Sequence, residues 1–429
     1  MISKKITTVF SMLSVCVLLV TACQSAQATP TENLVQTAAV QTLTAMPSAT
    51  LQPTLTPTKT LIPSSTSTLA PTDTATIALS ATPAAYGPTN FPDNINPLTG
   101  LPVADPAILN RRPVMITVAN FPSSGRPHAG LSFADIVFDY GIDAGTNRFL
   151  ALYYGQDSPK VGPIRSGRYV DIDLVSMYQG ILGYGSAWYL ELNKIISYLG
   201  QRAIMEGDGT CPAICRDTTI SKTPIVTNLM ADTAALTTYA GAHGVTQQRY
   251  NLDGMAFNYV PPANGKPGTF LTVSFGTNNL SDWRYDTTTG KYLSWIEERG
   301  ADGLVVLDKS GIVNMIPLVD RLNNQQLAFS NVIILNAEYQ KDFEAVYEIP
   351  VSTSYTYQKA LIFRNGQEYE ALWKSVGTDK PIQFFTPDKQ PFQLQPGNSW
   401  IVIGGTYSQF SQPDPTNDAA RWLYYFNPP

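Results

Sequence analysis

Residues 134–154 read ADIVFDYGIDAGTNRFLALYY, and this stretch decides how the folded part of the chain is interpreted. Two runs of apolar, β-branched and aromatic residues, Ala134–Tyr140 and Arg148–Tyr154, are separated by a segment that contains glycine and asparagine. Such runs between turn-forming residues are typical of strands. Pro113–Asn120 upstream has the same character, and Ile181–Gly185 downstream is a further apolar run. The region around the stretch is therefore predicted to form a sheet.

Helical patterns follow these strands. Tyr169–Gln179 and Ser186–Leu199 have the spacing of apolar residues that is typical of helices, and Thr227–Ala242 is a third candidate. Ser186 can cap the start of the second helix, and Gly200 can cap its end. Strands mixed with helices predict a layered α/β domain. We place this domain at residues 91–248.

After about residue 249 the helical patterns become rare and short strand patterns dominate. Turn signals lie among them at Thr289-Gly290, Asn365-Gly366, Pro387-Asp388 and Pro396-Gly397. The prediction is a mainly antiparallel β domain over residues 249–429, and the fold class is α+β. The predicted strands are Thr269–Phe275, Asp282–Tyr285, Lys291–Trp295, Gly303–Leu307, Asn331–Asn336, Ala360–Phe363, Tyr369–Lys374, Gln383–Phe385 and Trp400–Ile403.

The N-terminus has the pattern of a lipoprotein signal peptide over residues 1–22. Lys4 and Lys5 precede an apolar run, and Leu19-Val20-Thr21-Ala22 leads to Cys23. Small residues before a cysteine are typical of the lipobox of bacterial lipoproteins, in which Cys23 is the lipidated first residue. The alternative is an ordinary cleaved signal peptide followed by a cysteine that occurs there by chance. The lipobox predicts a head on the extracytoplasmic face of the bacterial cell membrane, held there by its lipid.

Residues 23–90 are rich in threonine and proline and carry only three charged side chains, Glu32, Lys59 and Asp73. A segment of this composition cannot bury enough apolar surface to offset the entropy lost on ordering. We therefore predict a disordered tether between the anchor and the head. Glycosylation of its threonines is an open alternative to a plain solvated stalk.

The charge balance excludes one class of function. The 429 residues include 28 Lys+Arg and 33 Asp+Glu, which gives a formal net charge of −5. A mildly acidic chain is not a protein that binds nucleic acid through overall positive charge.

Several short stretches form a recognisable set: NPLTGL at 96–101, RPHAGL at 126–131, ADIV at 134–137, TNRFLAL at 146–152, VGPIRSGR at 161–168, WRYD at 283–286, NVI at 331–333, FRNG at 363–366 and LQPGNSWI at 394–401. Together they resemble the YerB-like bacterial lipoproteins, whose core is a two-part domain of unknown function. The resemblance implies an anchored envelope protein and supplies no established reaction. Arg216-Asp217 also fits the family pattern, but the histidine that follows it in the family is absent between Thr223 and Asn228.

Four arginines of the N-terminal half are candidates for binding an anion. A guanidinium group pairs bidentately with phosphate or carboxylate, and a strand–turn–helix start offers free backbone N–H groups. The alternative is a structural network in which nearby aspartates neutralise the arginines. The candidate anion-binding residues are Arg126, Arg148, Arg165, Ser166, Arg168, Gly185 and Ser186, and the candidate acid partners are Asp135 and Asp139.

Other chemistry is less well supported by the sequence. Cys211 and Cys215 are predicted to form a small disulfide, with zinc binding and a redox pair as alternatives. His128 is predicted to lie on the surface of a loop, and His243 at a helix end. We predict no metal and no cofactor.

Two functions remain open at this stage. The first is a binding module for an envelope component such as peptidoglycan, an anionic wall polymer, a glycan or a partner protein. The second is an envelope enzyme that acts on a phosphate-linked glycan through an Arg/Asp site. Tyr184, Trp188 and Tyr189, near the proposed anion site, could stack on sugars or could simply fill a core.

Overall fold

The structure is a computed structural model that describes residues 85–143, 145–223, 225–277, 279–341 and 346–427. The predicted signal peptide, Cys23 and the tether up to residue 84 lie outside the described residues. The three α-helices of the described part are α1 Tyr169–Met177, α2 Tyr189–Leu199 and α3 Thr233–Ala242.

The strands of the described part are short and numerous. They are β1 Val114–Ala119, β2 Ile136–Asp143, β3 Thr146–Tyr153, β4 Ile181–Tyr184, β5 Ala203–Met205, β6 Ile214–Arg216, β7 Leu229–Ala231, β8 Ala256–Phe257, β9 Lys266–Pro267, β10 Phe270–Gly276, β11 Asn279–Asp286, β12 Lys291–Glu297, β13 Met315–Pro317, β14 Ala328–Phe329, β15 Asn331–Ala337, β16 Gln340–Lys341, β17 Tyr347–Glu348, β18 Gln358–Arg364, β19 Gln367–Lys374, β20 Gln383–Phe385, β21 Gln393–Leu394, β22 Ser399–Gly405, β23 Gln409–Ser411 and β24 Arg421–Tyr425.

The element order is broadly α+β, as predicted, with strands more abundant than helices. The two runs of the deciding stretch form β2 and β3, which pair antiparallel. Asn365 and Gly366, with φ of 53° and 73°, form the predicted turn between β18 and β19.

Three local predictions need correction. α2 begins at Tyr189, with Trp188 at its N-cap, so Ser186 lies before the helix and does not cap it. The third helix begins only at Thr233, because residues 229–231 pair as a strand and the Asp232 side chain accepts a hydrogen bond from Ala235 N, 2.9 Å away. Residues 303–307 form isolated bridges, not a strand.

The larger sheet of the described residues has the strand order β20-β19-β18-β15-β22-β2-β3-β1-β4-β5, with β9 beside β19. It draws strands from both predicted domains. β22 lies parallel to β15 on one side and parallel to β2 on the other, where Phe138 faces Ile401. The two segments on either side of residue 248 thus contribute strands to one mixed sheet. The domain boundary near residue 248 stays a prediction.

The smaller sheet has the order β13-β12-β11-β10-β24-β23, with β14 beside β12. Its pairing is mostly antiparallel, but β10 and β24 are parallel. The two sheets meet at a cluster of aromatic side chains. The ring centroid of Trp400 lies 4.9 Å from that of Phe149 in its own sheet, and 4.9 Å from Trp283 and 5.3 Å from Phe329 of the smaller sheet. These tryptophans therefore fill the core.

No helix within the described ranges has the length and apolar character that would let it cross a membrane.

Candidate functional site

The loop of residues 162–168 is held between β1, an inner strand of the larger sheet, and β7, which pairs with β6 in a separate two-stranded sheet. Arg165 N donates to Thr117 O of β1 at 3.2 Å, and the Thr117 hydroxyl donates back to Arg165 O at 2.6 Å. On the other side, Ile164 N donates to Leu229 O of β7 at 2.7 Å. These backbone bonds fix the point from which the loop's arginines project.

The end of β4 completes the site. Gly185 N donates to Arg165 O at 3.0 Å, and Gly167 N donates to Ser186 O at 2.8 Å. The hydroxyl oxygens of Ser166 and Ser186 lie 3.2 Å apart. The structure thus brings together four of the predicted anion-binding residues, Arg165, Ser166, Gly185 and Ser186.

Arg148 lies beneath this surface on β3. Only 4% of the residue is exposed, and its Nη1 donates to the backbone oxygen of Ser166. Burial, together with the positive charges of Arg168 and Arg165, lowers the pKa of Arg148 to about 10. Arg148 therefore supports the loop from below and adds positive potential to it.

Arg168 is tied to a buried acid. Its Nη1 lies 3.1 Å from Glu191 Oε2 of α2, whose side chain is 0% exposed. Its backbone N donates to Asp171 Oδ2 at 2.7 Å at the start of α1. Burial raises the pKa of Glu191 although the nearby Arg168 opposes that shift. Arg168 thus connects the two helices.

Arg165 differs from Arg168, which has an ion pair, and from Arg148, which is buried beneath the surface. It is half-buried and forms no ion pair with any residue that the structure describes. Its Nε is buried and has no hydrogen-bond partner there. Burial and the charge of Arg168 lower its pKa. A guanidinium held among like charges in this way is the group of the site best suited to receive an anion.

A cavity of about 350 Å³ opens beside Arg165, and we call it the Arg165 cavity. Glu206 and Arg216 form an ion pair on its wall, and Ile225 and Val226 form an apolar rim. The candidate residues predicted from sequence did not include Glu206 or Arg216. The Arg216-Asp217 match to the family pattern was the signal that could have indicated the latter.

The acidic side chains around the site do not neutralise Arg165. Glu191 is paired with Arg168, and Glu206 with Arg216. Asp171 is fully buried and accepts a hydrogen bond from the Tyr140 hydroxyl at 2.6 Å, and burial raises its pKa to about 6. The charge of Arg165 thus has no dedicated carboxylate among these acids.

Arg126 lies apart from this site. Its Nη2 is 3.0 Å from Oε1 of Glu297, a buried acid of β12 that Arg299 also contacts at 2.9 Å. Its Nε donates to Asn120 Oδ1 at 3.1 Å. Arg126 thus connects the two sequence segments, on the wall of a separate cavity of about 720 Å³.

The two candidate acid partners are also placed elsewhere. Asp135 accepts hydrogen bonds from the backbone N of Tyr154 and Gly155, at 2.6 and 2.9 Å. Asp139 accepts from Asn147 Nδ2 at 2.5 Å and from Trp400 Nε1 at 3.3 Å. Burial raises the pKa of Asp135 to about 6 and that of Asp139 to about 7. Glu191 and Glu297, and not these aspartates, form the ion pairs of Arg168 and Arg126.

His128 is fully buried, which corrects the surface position predicted for it. Its Nε2 lies 2.8 Å from the carbonyl oxygen of Ala119 on β1, and burial lowers its pKa to about 3, so the neutral ring donates this hydrogen bond. His243 lies at the C-terminal end of α3, as predicted. Cys211 and Cys215 are joined by a disulfide.

The aromatic residues near the site divide into two kinds. Tyr184 is buried, while Trp188 and Tyr189 are 53% and 59% exposed at the start of α2. The described residues contain no group of three His, Cys, Asp or Glu side chains placed to hold a metal ion.

Comparison with known families shows the family to which the chain belongs. Residues 98–246 match the family described as "Protein of unknown function (DUF3048) N-terminal domain". Residues 271–401 match the corresponding C-terminal domain. The chain belongs to this family, and the resemblance predicted from sequence is confirmed.

One relative can be named. The chain is similar to a protein of Bacillus subtilis (strain 168) named "Putative lipoprotein YerB", with 27% identity over 312 residues, which is 72% of this chain and 85% of that protein. The crystal structure of YerB from Bacillus subtilis matches with a TM-score of 0.54 at 24% identity, over 72% of this chain and 96% of that one. The latter similarity supports the fold.

Proposed function

We propose that the protein is a lipid-anchored extracytoplasmic lipoprotein whose folded head binds an anionic component of the cell envelope at the Arg165 cavity. The lipobox sequence ending at Cys23 and the name of the Bacillus relative support the anchor. The observation that carries the binding function is Arg165, a half-buried guanidinium that has like charges beside it and no ion pair within the described residues.

The chemistry of the cavity favours a phosphate or carboxylate group. An anion at Arg165 would receive charge-assisted hydrogen bonds from the guanidinium, and the hydroxyls of Ser166 and Ser186 could donate to it as well. The buried Arg148 adds positive potential from below. An anionic wall polymer or anionic peptidoglycan group satisfies these requirements, and its binding would weaken with salt because the cavity is open to solvent.

The enzymatic alternative needs an acid that is available at the arginines. Asp135, the acid proposed for that role, is hydrogen-bonded to the backbone at Tyr154 and Gly155. Glu191 and Glu206 are engaged in ion pairs. The arrangement thus favours binding over catalysis.

The experiment is a pull-down of the purified full-length protein with peptidoglycan and with anionic wall polymer, at low and high salt. Arg165→Gln should reduce retention at least tenfold, while Arg421→Gln, which changes an exposed arginine on β24, should leave it unchanged. Retention that is equal in wild type and Arg165→Gln would contradict the proposal.

A further inference from the structure

A second cavity, of about 560 Å³, opens where the loop of residues 96–102 meets the loop of residues 395–398, and we call it the polar cavity. Its size lies within the range of small-molecule sites, about 300–1,000 Å³. The two loops are joined by a hydrogen bond from Gly397 N to Thr99 O at 2.8 Å. The cavity is therefore built jointly by the two sequence segments.

The polar cavity accounts for family stretches that the Arg165 cavity does not use. NPLTGL at 96–101 and LQPGNSWI at 394–401 supply its two loops, and Asp135 of the ADIV stretch lies on its wall. Ser399 N donates to Asp135 O at 3.0 Å, so all three stretches are in contact.

Two amide side chains on the wall have unused acceptors. Gln395 Nε2 donates to Gly290 O, and Asn398 Nδ2 donates to Ala328 O, each at 3.1 Å. These bonds to carbonyl oxygens identify which end of each amide is the nitrogen and which is the oxygen. Their oxygens are buried and accept no hydrogen bond from the described residues. A buried acceptor without a partner is costly, so both oxygens call for a donor from a ligand or a water molecule.

The charged groups of the cavity balance one another. Lys291 is half-buried, and it forms no ion pair within the described part of the chain. Burial lowers its pKa. Asp135 supplies one carboxylate on the same wall. With one positive and one negative side chain, the polar cavity favours neither an anionic nor a cationic ligand, whereas the Arg165 cavity favours an anion.

An aromatic side chain completes the lining. Tyr259 is 43% exposed at the cavity, and its ring is available to stack on an apolar face. Amide oxygens that need donors, an ammonium group that donates and an aromatic face together match a ligand that is uncharged, rich in hydroxyl groups and partly apolar on its faces.

We propose that the polar cavity binds a neutral saccharide. Sugar hydroxyls would donate to the Gln395 and Asn398 oxygens after a small rotation of these side chains, and would accept from the Lys291 ammonium group. The ring face of the sugar would stack on Tyr259. This site is separate from the Arg165 cavity, and neither proposal depends on the other.

The test measures binding of two uncharged probes, chitotriose and maltotriose, to the purified full-length protein by titration calorimetry. Lys291→Met and Tyr259→Ala each remove one ligand contact. Their matched controls are Lys309→Met and Tyr407→Ala, which change exposed residues that do not line the cavity. We expect at least one probe to bind, and each cavity variant to weaken its binding tenfold or more.

Several outcomes would overturn this proposal. Binding of neither probe, or binding that both cavity variants leave unchanged, contradicts it. Inorganic phosphate that displaces the sugar would show that the cavity prefers anions and would also refute it. Arg165→Gln does not change the polar cavity and should bind the neutral probe as wild type does. The two proposals can therefore fail independently, because binding of wall polymer is measured in a separate experiment.

Discussion

Arg168→Gln should destabilise the folded head because it breaks one side of a buried ion pair. The Glu191 carboxylate is 0% exposed and faces Arg168 at 3.1 Å. Removing one partner of a buried pair costs about 3–5 kcal/mol. Since 21% of the Arg168 side chain is exposed, we expect the lower end, about 3 kcal/mol. In a folded unit of this length the entropy of unfolding is about 0.7 kcal/mol per kelvin, so the loss lowers the Tm by roughly 4 °C.

The loss should depend on pH with a defined sign. Burial already raises the pKa of Glu191, and loss of Arg168 raises it further. When folding raises the pKa of a carboxyl group, the folded protein becomes less stable as the pH rises from the unfolded-state pKa to the raised pKa. The difference between variant and wild type should therefore be larger at pH 8 than at pH 5, because protonation of Glu191 at lower pH removes its unpaired charge.

The assay is thermal and urea unfolding of both proteins at these two pH values, with Arg165→Gln as the matched variant. Arg165→Gln should change the free energy of unfolding by less than about 1 kcal/mol, because it removes a charge that repels Arg148 and Arg168 and breaks no ion pair. Two results would refute the reasoning. One is an unchanged Tm for Arg168→Gln at pH 8, and the other is a drop for Arg165→Gln as large as that for Arg168→Gln.

Three further predictions concern other parts of the chain. Burial raises the pKa of Asp139 to about 7, so folding favours its neutral form and the wild-type protein should lose stability between pH 5 and pH 8. Asp139→Asn should make this loss smaller in urea unfolding, and an equal pH dependence in variant and wild type would contradict the reasoning. Cys211 and Cys215 should resist alkylation without reductant and react after reduction, and labelling of both before reduction would contradict the disulfide. Mass spectrometry of the mature N-terminus should find a lipid on Cys23, whereas an intact Met1 or an unmodified Cys23 would contradict the anchor.

Local patterns were sufficient for the elements near the deciding stretch. β2 and β3 follow from runs of β-branched and aromatic residues, and α2 ends at Leu199 with Gly200 at its C-cap, as its sequence predicts. The start of α2 could not be predicted in this way. Ser186 is a good capping residue, but its backbone oxygen accepts from Gly167 N and its hydroxyl lies near that of Ser166, so tertiary contacts fix it outside the helix.

Part of the candidate site could be predicted because its residues lie in two neighbouring segments, the loop of residues 162–168 and the residues that follow β4. Arg165 and Ser186 come together because backbone hydrogen bonds join the loop of residues 162–168 to the residues that follow β4. The acid partners were harder to predict. Glu191 lies on a helix surface that packs onto Arg168, and Glu297 reaches Arg126 from the other sequence segment. No local pattern reports such pairings. His128 was misplaced for the same reason, since its partner is a carbonyl group of β1.

The position of β22 between β2 and β15 has a consequence for the order in which the chain can mature. As the ribosome makes the protein from its N-terminus, β2 is complete long before Ser399 emerges, and one edge of β2 stays open meanwhile. An unpaired strand edge is a template for pairing with other chains. A nascent or prematurely terminated chain that lacks β22 would therefore expose two unpaired strand edges at once, those of β2 and β15.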